Sequence, residues 1–228
     1  MNNLEYVIIG NSTAAVGAVE AIRKNDTEGS IVIISKENHH TYSRPLISYL
    51  LLGKTNEEKM KYRSDDFYVK NNCVLMLGRT AEKIDVNQKL VILDNGEHVS
   101  YDKLLIATGS SPVIPPIKGL DSVRYKFTFT TLDDAKRLEK VMKRNNRVLI
   151  AGAGLIGLKC AEGISRKNVK TICVDLAPRV LSSILDDEGS KIIENHLTRN
   201  NIQLCLGRQI VEFKENIAVL DSGAEILF

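Results

Sequence analysis

Short apolar runs alternate along this chain with longer stretches in which apolar residues recur at helical spacing. Residues 6–9 and 31–34 are apolar runs, and between them an Ala-rich apolar pattern repeats from Ala15 to about Lys24. The same order returns later, with strand-like runs at 147–151 and 171–174 around a second helical pattern. Each part therefore predicts strand, helix and strand, the repeating unit of an α/β fold.

A tight turn joins the first strand to its helix, in the sequence Gly10-Asn11-Ser12-Thr13-Ala14-Ala15. Gly10 lets the chain turn sharply, residue 12 stands where backbone approaches a pyrophosphate, and Ala15 is small enough to pack on the sheet. The helix N-terminus offers N–H groups to phosphates. Ser12 replaces the middle glycine, so its side chain either crowds the phosphate or donates its hydroxyl to it.

An acidic residue follows the second strand at the distance expected for ribose recognition. Glu37 lies 22 positions after Ala15, and an acid about 20 residues beyond the glycine turn can hydrogen-bond a ribose. The stretch therefore predicts the first half of a dinucleotide-binding unit. A βαβ unit that binds nothing is the alternative interpretation.

A polar loop with two histidines and a proline comes next. Pro45 is expected to hold Arg44 in an extended conformation, which presents a cation to the cofactor or its phosphates just after the ribose acid. His39 and His40 have no third ligand nearby, so a surface loop is the preferred interpretation and no metal site is predicted.

The middle of the chain predicts smaller elements. Helices are expected at 47–52 and 65–71, a charged exposed stretch at 54–61, strands at 73–77 and 101–109, and an antiparallel meander at 81–86 and 89–93 with a hairpin turn at Asn95-Gly96. Residues 110–116 form a proline-rich connector, read as a domain linker. The predicted boundary separates domains 1–114 and 115–228.

A charged helix is predicted from Thr131, its N-cap, to about Asn145. Basic side chains recur along it and form one face. A solvated helix surface explains this face, and a docking site for an acidic protein is the alternative. The basic residues are Lys136, Arg137, Lys140, Lys143 and Arg144.

The second glycine motif is complete. Residues 152–157 read Gly-Ala-Gly-Leu-Ile-Gly between a strand and a helix, and Asp175 follows the next strand 18 positions after Gly157. This order and spacing fit the dinucleotide fingerprint. An acid at 175 favours the unphosphorylated ribose of NADH over NADPH, and Arg179 four residues later weakens that preference. Further strands are predicted at 202–206, 210–213 and 217–220, with another beginning near 224.

Composition narrows the class of protein. The chain has 228 residues, 43% hydrophobic and 26% charged, with a net charge of +3, which is ordinary for a globular protein and argues against a dedicated nucleic-acid binder. No apolar run is long enough to span a bilayer, and no signal peptide is visible. Its four cysteines form no Cys-x-x-Cys pair and are expected to be buried, inert thiols of a reduced cytoplasmic protein.

Two dinucleotide units in one chain indicate electron transfer between two dinucleotides, and FAD and NAD(P)H are the natural pair. With these motifs the sequence resembles the FAD-dependent pyridine nucleotide-disulfide oxidoreductase superfamily, in particular its rubredoxin reductases, ferredoxin reductases and nitrite reductase flavoproteins. The resemblance covers essentially the whole chain. It is carried by residues 7–10, 42–46, 101–109, 152–157, 175–181 and 185–189.

The resemblance implies two Rossmann-like domains, each a central parallel sheet with helices and a small antiparallel meander. It assigns an FAD site to the first domain and an NADH site to the second, and it requires no catalytic side chain. The expected FAD site consists of Gly10, Ser12, Ala14, Ala15, Glu37, Arg44, Pro45, Ala81, Thr108 and Gly109. The expected NADH site consists of Gly152, Gly154, Leu155, Ile156, Gly157 and Asp175.

Three departures from the family pattern qualify these expectations. The single redox cysteine that some members have near the position of Ser43 is absent, so thiol chemistry is not expected. Lys159 stands where the family often has a glutamate. The family continues past the position of Phe228 with the rest of the second domain and a return to the first, which includes a Gly-Asp motif that contacts the flavin, so the second domain and the FAD site are both expected to be incomplete.

The leading hypothesis is a flavoprotein in which FAD accepts hydride from NADH and passes electrons to a small iron–sulfur protein such as rubredoxin or ferredoxin. One alternative is an electron-input flavoprotein of a larger, nitrite reductase-like complex. The other is a catalytically silent nucleotide-binding module. A redox-protein acceptor and assembly as a homodimer are the expected partnerships, and neither nucleic acid nor a membrane is expected.

Overall fold

A computed structural model describes residues 5–142, 146–165 and 168–228. The strands are β1 (Glu5–Ile9), β2 (Ser30–Ser35), β3 (Cys73–Leu77), β4 (Ala81–Asp85), β5 (Leu90–Leu93), β6 (His98–Ser100), β7 (Lys103–Ile106), β8 (Arg147–Ala151), β9 (Lys170–Asp175), β10 (Ile202–Leu206), β11 (Ile210–Lys214), β12 (Ile217–Leu220) and β13 (Glu225–Leu227). The helices are α1 (Thr13–Asn25), α2 (Ile47–Leu51), α3 (Glu57–Met60), α4 (Phe67–Lys70), α5 (Leu132–Val141), α6 (Leu155–Ile164) and α7 (Asp187–Arg199). Short 3-10 turns occupy Arg44–Leu46 and Leu120–Ser122.

The chain forms two compact units. The first contains the described residues of Met1–Ser43 together with Glu58–Ser110, and the second contains Arg44–Glu57 together with Ser111–Phe228. The sequence divides the chain once, between residues 114 and 115. That domain boundary stays a prediction. The two compact units change over between Ser110 and Ser111, and the second unit also contains the segment Arg44–Glu57.

A four-stranded parallel sheet in the order β3-β2-β1-β7 forms the centre of the first unit. Alternate residues of its strands face opposite sides, as the pleat requires. On one side Ile8 and Ile33 pack against Val16 and Val19 of α1 and against Phe67 of α4. Parallel strands buried on both faces explain why their sequences are continuous apolar runs.

The antiparallel meander β4-β5-β6 covers the opposite face of this sheet. Val7 and Ile34 of the sheet are buried there against Val91 and Leu93 of β5 and the ring of Tyr101. The predicted meander and its hairpin are therefore confirmed, and the unit consists of helix, sheet and meander layers.

The second unit repeats this arrangement with a smaller sheet. Strands β10, β9 and β8 are parallel, and β11, β12 and β13 form an antiparallel meander. Val174 of the sheet is buried against Phe213, Ala218 and Leu220 of the meander. The predicted fold class, two Rossmann-like units each with a parallel sheet, helices and a meander, is confirmed.

Helix α2 packs on α6 within the second unit because a glycine permits close approach. A Cβ atom at Gly163 would lie 3.2 Å from the Ser48 carbonyl oxygen and 3.4 Å from side-chain atoms of Leu51. Helix α5 begins at the predicted N-cap, where Thr131 Oγ1 accepts from the Asp134 N–H at 3.0 Å. The predicted end of this helix at Asn145, with Lys143 and Arg144, lies outside the described residues.

Several element boundaries differ from the sequence prediction. The predicted strand 101–109 is regular only over β7, and the predicted helix 65–71 only over α4. The stretch 54–61, predicted to be exposed, contains helix α3 with Met60 only 1% exposed. Met60 is the single large apolar residue in a charged stretch, so its burial depends on the tertiary fold and leaves no periodic signal. Of the cysteines, Cys160 and Cys173 are buried as predicted, whereas Cys73 and Cys205 are half-buried.

Two glycines of the second unit show whether a glycine is required by its backbone conformation alone or also by its crowded surroundings. Gly119 and Gly223 both have positive φ, 74° and 82°, but a Cβ at Gly119 would lie 2.0 Å from the Phe213 carbonyl oxygen, whereas at Gly223 it would meet open space. We expect Gly223→Ala to lower the free energy of unfolding by about 1 kcal/mol and Gly119→Ala by about 2–4 kcal/mol. Urea unfolding checks both values, and equal losses would contradict the crowding at Gly119.

Candidate functional site

The first glycine turn lies at the carboxyl edge of the four-stranded sheet. Gly10 has φ 118° and donates its N–H to the Ile34 carbonyl oxygen at 2.8 Å. A Cβ atom there would lie 2.1 Å from the Ala107 carbonyl oxygen. The turn thus passes between the ends of β2 and β7, and both its conformation and its surroundings require glycine.

Helix α1 begins immediately after this turn with its N-terminus open. Ser12 is the N-cap residue, yet its side chain makes no capping hydrogen bond. Ala14 is exposed, whereas Ala15 is 1% exposed and packs on the sheet. The first N–H groups of a helix have no partner within it, so this end presents donors suited to an anion. The Ser12 hydroxyl is available as a further donor at the same end.

A tyrosine holds the predicted ribose acid at this edge. Glu37 follows β2, and its Oε2 accepts from the Tyr42 hydroxyl at 2.5 Å. Tyr42 is 8% exposed, so a largely buried group orients the carboxylate. Tyr42 is not predicted as a site residue from the sequence, because its contact with Glu37 depends on how the loop folds back.

Tyr68 connects the glycine turn to the same loop. Its hydroxyl donates to Asn11 Oδ1 at 2.6 Å and accepts from the Thr41 N–H at 3.3 Å. Asn11 Nδ2 also donates to the His39 carbonyl oxygen at 3.3 Å. Burial raises the pKa of the Tyr68 hydroxyl, which keeps it protonated as a donor. Tyr68 lies in the fourth helix, 57 residues from Asn11, and no local pattern points to it.

The remaining predicted residues of the first unit lie around this edge. Thr108 and Gly109 follow β7. Just before them, Ala107 donates its N–H to the Ile9 carbonyl oxygen at 2.8 Å, next to Gly10. Ala81 begins β4 and packs in the core beneath the sheet. The structure therefore collects at one sheet edge Gly10, Ser12, Ala14, Ala15, Glu37, Thr108 and Gly109, with Ala81 in the adjoining meander.

Arg44 and Pro45 differ from their prediction. They begin a 3-10 turn that continues into α2, so the predicted extended conformation of Arg44 is wrong. Both residues belong to the second unit, where Arg44 Nη1 donates to the Thr130 carbonyl oxygen at 3.0 Å. The bias that proline imposes on its predecessor is outweighed here by the helical continuation and this tertiary hydrogen bond.

The second glycine turn reproduces the backbone geometry of the first. Gly152 has φ 111° and donates its N–H to the Val174 carbonyl oxygen at 2.8 Å. A Cβ at Gly157 would lie 2.0 Å from the Gly152 carbonyl oxygen, so this glycine permits close packing of α6 on the turn. Cβ atoms at Gly152 or Gly154 would meet nothing within 4 Å. The space over these two glycines suits the approach of a pyrophosphate to the backbone.

Asp175 is tied to this turn by both carboxylate oxygens. Its Oδ2 accepts from the Ala153 N–H at 2.5 Å, and its Oδ1 accepts from the Ala177 N–H at 2.7 Å. Each oxygen retains a lone pair for another donor. The aspartate therefore holds the glycine turn in addition to lying at the position predicted for the ribose acid.

A strained leucine supports the same turn from the other side. Leu181 has φ 51° and donates its N–H to the Ala153 carbonyl oxygen at 3.1 Å. Left-handed conformations are unfavourable for residues with a Cβ and persist where the surrounding structure fixes them. The sequence predicts no site residue at Leu181, because only the folded chain brings it to Ala153.

Exposed apolar side chains surround the second turn. Leu155 and Ile156, predicted to hold the dinucleotide, are 59% and 56% exposed on the first turn of α6, and Leu176 is 69% exposed beside Asp175. Such large apolar side chains at the rim of a polar turn provide surface for a planar ring. The predicted residues Gly152, Gly154, Leu155, Ile156, Gly157 and Asp175 thus lie together.

The four cysteines are buried or half-buried. All four cysteines are free. Burial raises the pKa of the Cys160 thiol to about 12 and that of Cys173 to about 11, so neither forms the reactive thiolate at neutral pH. Within the described residues no group of three or more His, Cys, Asp or Glu side chains is placed to bind a metal. No helix in that part of the chain combines the length and apolar character needed to cross a membrane.

Comparison with known proteins gives a consistent family. A sequence model described as pyridine nucleotide-disulphide oxidoreductase matches residues 4–227. The chain is 31% identical over 218 residues to the NADH-dependent phenylglyoxylate dehydrogenase subunit epsilon of Aromatoleum evansii, covering 96% of this chain and 52% of that protein. It is 30% identical over 235 residues to the 3-phenylpropionate/cinnamic acid dioxygenase ferredoxin–NAD(+) reductase component of Photorhabdus laumondii, covering 100% of this chain and 58% of that protein.

A solved structure agrees with these sequence relatives. The covalent putidaredoxin reductase–putidaredoxin complex superposes with a TM-score of 0.89 at 25% identity, covering 99% of this chain and 56% of that chain. The chain therefore spans just over half the length of these relatives.

Substitutions in the second turn distinguish a glycine needed by the fold from one needed by a ligand. We expect Gly154→Ala to change the free energy of unfolding by no more than about 0.5 kcal/mol, because its Cβ meets open space at an ordinary φ of −81°. It should weaken dinucleotide binding at least about tenfold by blocking the backbone approach. Gly157→Ala should instead destabilise the fold by about 1–3 kcal/mol.

Calorimetric titration and urea unfolding of both variants check this prediction. Unchanged dinucleotide affinity in Gly154→Ala would show that no ligand occupies the space above that glycine.

Proposed function

The chain belongs to the pyridine nucleotide-disulphide oxidoreductase family, and we propose that it forms the dinucleotide-binding part of a flavoprotein that oxidises NADH. In this proposal the first unit binds FAD and the second binds NADH. Electrons then pass to a small iron–sulfur protein of the ferredoxin or rubredoxin type.

One observation carries the proposal: two glycine turns of the same geometry occur in separate compact units. The φ angles of Gly10 and Gly152 are 118° and 111°, and each N–H bonds the neighbouring parallel strand at 2.8 Å. Each turn leads into a helix whose first N–H groups suit a phosphate. A protein with two such sites is suited to bring two dinucleotides together.

The residues of the first unit fit an FAD adenosine and pyrophosphate. Backbone N–H groups and the Ser12 hydroxyl at the start of α1 would donate to phosphate oxygens, and Glu37, oriented by Tyr42, would accept from a ribose hydroxyl. The chemistry that FAD supplies when bound is acceptance of a hydride and release of single electrons. The protein's task is then to bind and align the cofactors, so no side chain needs to serve as nucleophile or base.

The residues of the second unit favour NADH over NADPH. Asp175 would accept from the ribose 2′-hydroxyl and repel a 2′-phosphate. Arg179, the cation closest to Asp175 in sequence, is engaged elsewhere. It bonds the Leu185 and Ser182 carbonyl oxygens at 3.4 Å each and pairs with Asp187 at 3.2 Å.

The proposed acceptor is a small iron–sulfur protein for two reasons. A relative of this chain is named as a ferredoxin–NAD(+) reductase component, and a structural neighbour is a complex with putidaredoxin. The two buried thiols have pKa values raised to about 12 and about 11, which argues against electron exit through them. The cytoplasmic location and the homodimer remain predictions from the sequence.

A second candidate is an electron-input subunit of a larger enzyme. The relative from Aromatoleum evansii is itself named as a subunit of an NADH-dependent dehydrogenase. Co-purification of this chain with a metal-containing partner would favour this role over that of a free-standing reductase. NADH binding without flavin reduction would instead favour the catalytically silent module.

The first test is reduction of bound flavin. The purified chain supplied with FAD should retain the visible absorbance of oxidised flavin after gel filtration, and anaerobic NADH should bleach it. The Gly154→Ala variant is the matched control: it should keep the colour but require at least about tenfold more NADH for half-bleaching. A colourless protein that takes up no FAD would reject the proposal for this chain.

The second test concerns the 2′-position of the nucleotide. The double variant Asp175→Ser, Leu176→Arg should raise the preference for NADPH over NADH by about tenfold or more, because a phosphate-binding guanidinium replaces a repelling carboxylate. Serine retains an acceptor for one of the backbone N–H groups that Asp175 holds. Leu176→Gln is the control for loss of the apolar rim. An unchanged preference, measured by titration of both nucleotides, would show that the ribose is read elsewhere.

A further inference from the structure

A lysine lies against a tyrosine ring near the second glycine turn. Lys159 Nζ is 4.5 Å from the ring centroid of Tyr49, and Lys54 Nζ is 5.5 Å from the same centroid. Lys159 also pairs with Glu162 one turn further along α6. Two ammonium groups therefore lie at the Tyr49 ring, and the Glu162 carboxylate pairs with one of them. All four residues belong to the second unit.

Lys159 occupies the open face of α6. It follows Ile156 by three residues and Leu155 by four, so the three side chains share one side of the helix. Leu155 and Ile156 are more than half exposed, and the Lys159 side chain is 39% exposed. One turn further on, Gly163 contacts α2. Lys159 thus stands at the boundary between the open first turn of α6 and the part that α2 covers.

The tyrosine restricts where this cation can lie. A lysine side chain on an exposed helix surface samples many rotamers, whereas attraction to the negative face of an aromatic ring favours one position. Tyr49 is itself anchored by α2, whose neighbouring residues Ser48 and Leu51 are 0% and 2% exposed. Tyr49 is therefore a positioning residue for the Lys159 ammonium group.

We propose that this aromatic-held lysine makes the second nucleotide site discriminate between reduced and oxidised nicotinamide. The inference rests on the proposed function, in which this site binds NADH. With Asp175 at the adenosine ribose and the α6 N-terminus at the pyrophosphate, the open face of α6 is left for the second half of the dinucleotide. The oxidised nicotinamide ring carries a positive charge and the reduced ring carries none, so a fixed cation weakens binding of NAD⁺ alone.

This selectivity would assist turnover. NADH and NAD⁺ share both riboses, the adenine and the pyrophosphate, so those contacts contribute equally to the binding of both. Lys159 acts on the one feature that changes when hydride leaves. The oxidised product is then released more readily than the substrate, and inhibition by NAD⁺ is reduced.

The test is the ratio of the NAD⁺ and NADH dissociation constants, measured by calorimetry on the full chain without added flavin. We expect Lys159→Gln to lower this ratio about fivefold, the size of effect that one unit charge has where solvent screens it strongly. Lys159→Arg should retain the ratio. Tyr49→Leu should lower it, whereas Tyr49→Phe, which keeps an aromatic face, should not. Raising the ionic strength should lower the wild-type ratio by screening.

Lys214→Gln provides a control for net charge. Lys214 belongs to the same unit but lies on β11, where it pairs with Glu225, and its loss should leave the ratio unchanged. An unchanged ratio in Lys159→Gln, with both nucleotides still bound, would overturn the inference and leave the proposed function intact. A wild-type chain that binds neither nucleotide would overturn both.

Discussion

The structure depends on a glycine turn that occurs once in each unit. In both, a glycine with positive φ stands at the end of the first parallel strand of a sheet. At Gly10 and at Gly152 the N–H bonds the adjacent strand, which fixes the turn against the sheet edge. The following helix must then start above the carboxyl ends of the strands, with its unpaired N–H groups directed away from the sheet. The position of the helix and of the anion site both follow from this turn.

The two glycine turns are followed by different side chains. In the second turn Gly154 leaves open space and Gly157 permits close packing, whereas the first turn has the Ser12 hydroxyl and the Ala15 methyl group at those positions. The first site therefore has less space for a phosphate than the second, but it has an additional hydrogen-bond donor, the Ser12 hydroxyl.

The acids at the two sites are also fixed differently. Glu37 is held by the Tyr42 hydroxyl, a side chain from the following loop, whereas Asp175 is held by the backbone N–H groups of Ala153 and Ala177. Asp175 is the last residue of β9 and directly follows Val174, whose carbonyl oxygen accepts from Gly152, whereas Glu37 lies two residues beyond the end of β2; the aspartate therefore reaches its glycine turn directly. The acid of the second site consequently contributes to the shape of the turn as well as to recognition.

The parts of the molecule that could be predicted from the sequence are those determined by local pattern. Buried parallel strands are continuous apolar runs, and the glycine turns, the Thr131 cap and the Asn95-Gly96 hairpin are determined within a few residues. Contacts between distant segments could not be predicted, because no local signal encodes them. The contact of Tyr68 with Asn11 spans 57 residues, and the association of α2 with α6 depends on the close approach at Gly163.

The position of Arg44 shows how such a distant contact changes an interpretation. From sequence alone, Pro45 makes an extended Arg44 the simplest expectation, and its nearness to Glu37 suggests a role beside that acid. The structure instead continues the segment into α2, bonds Arg44 to the Thr130 carbonyl oxygen, and assigns both to the unit that contains the second glycine turn. The same segment carries Tyr49 to Lys159. A stretch that follows the first nucleotide motif in sequence thus supplies side chains to the surroundings of the second, which sequence proximity alone would not have indicated.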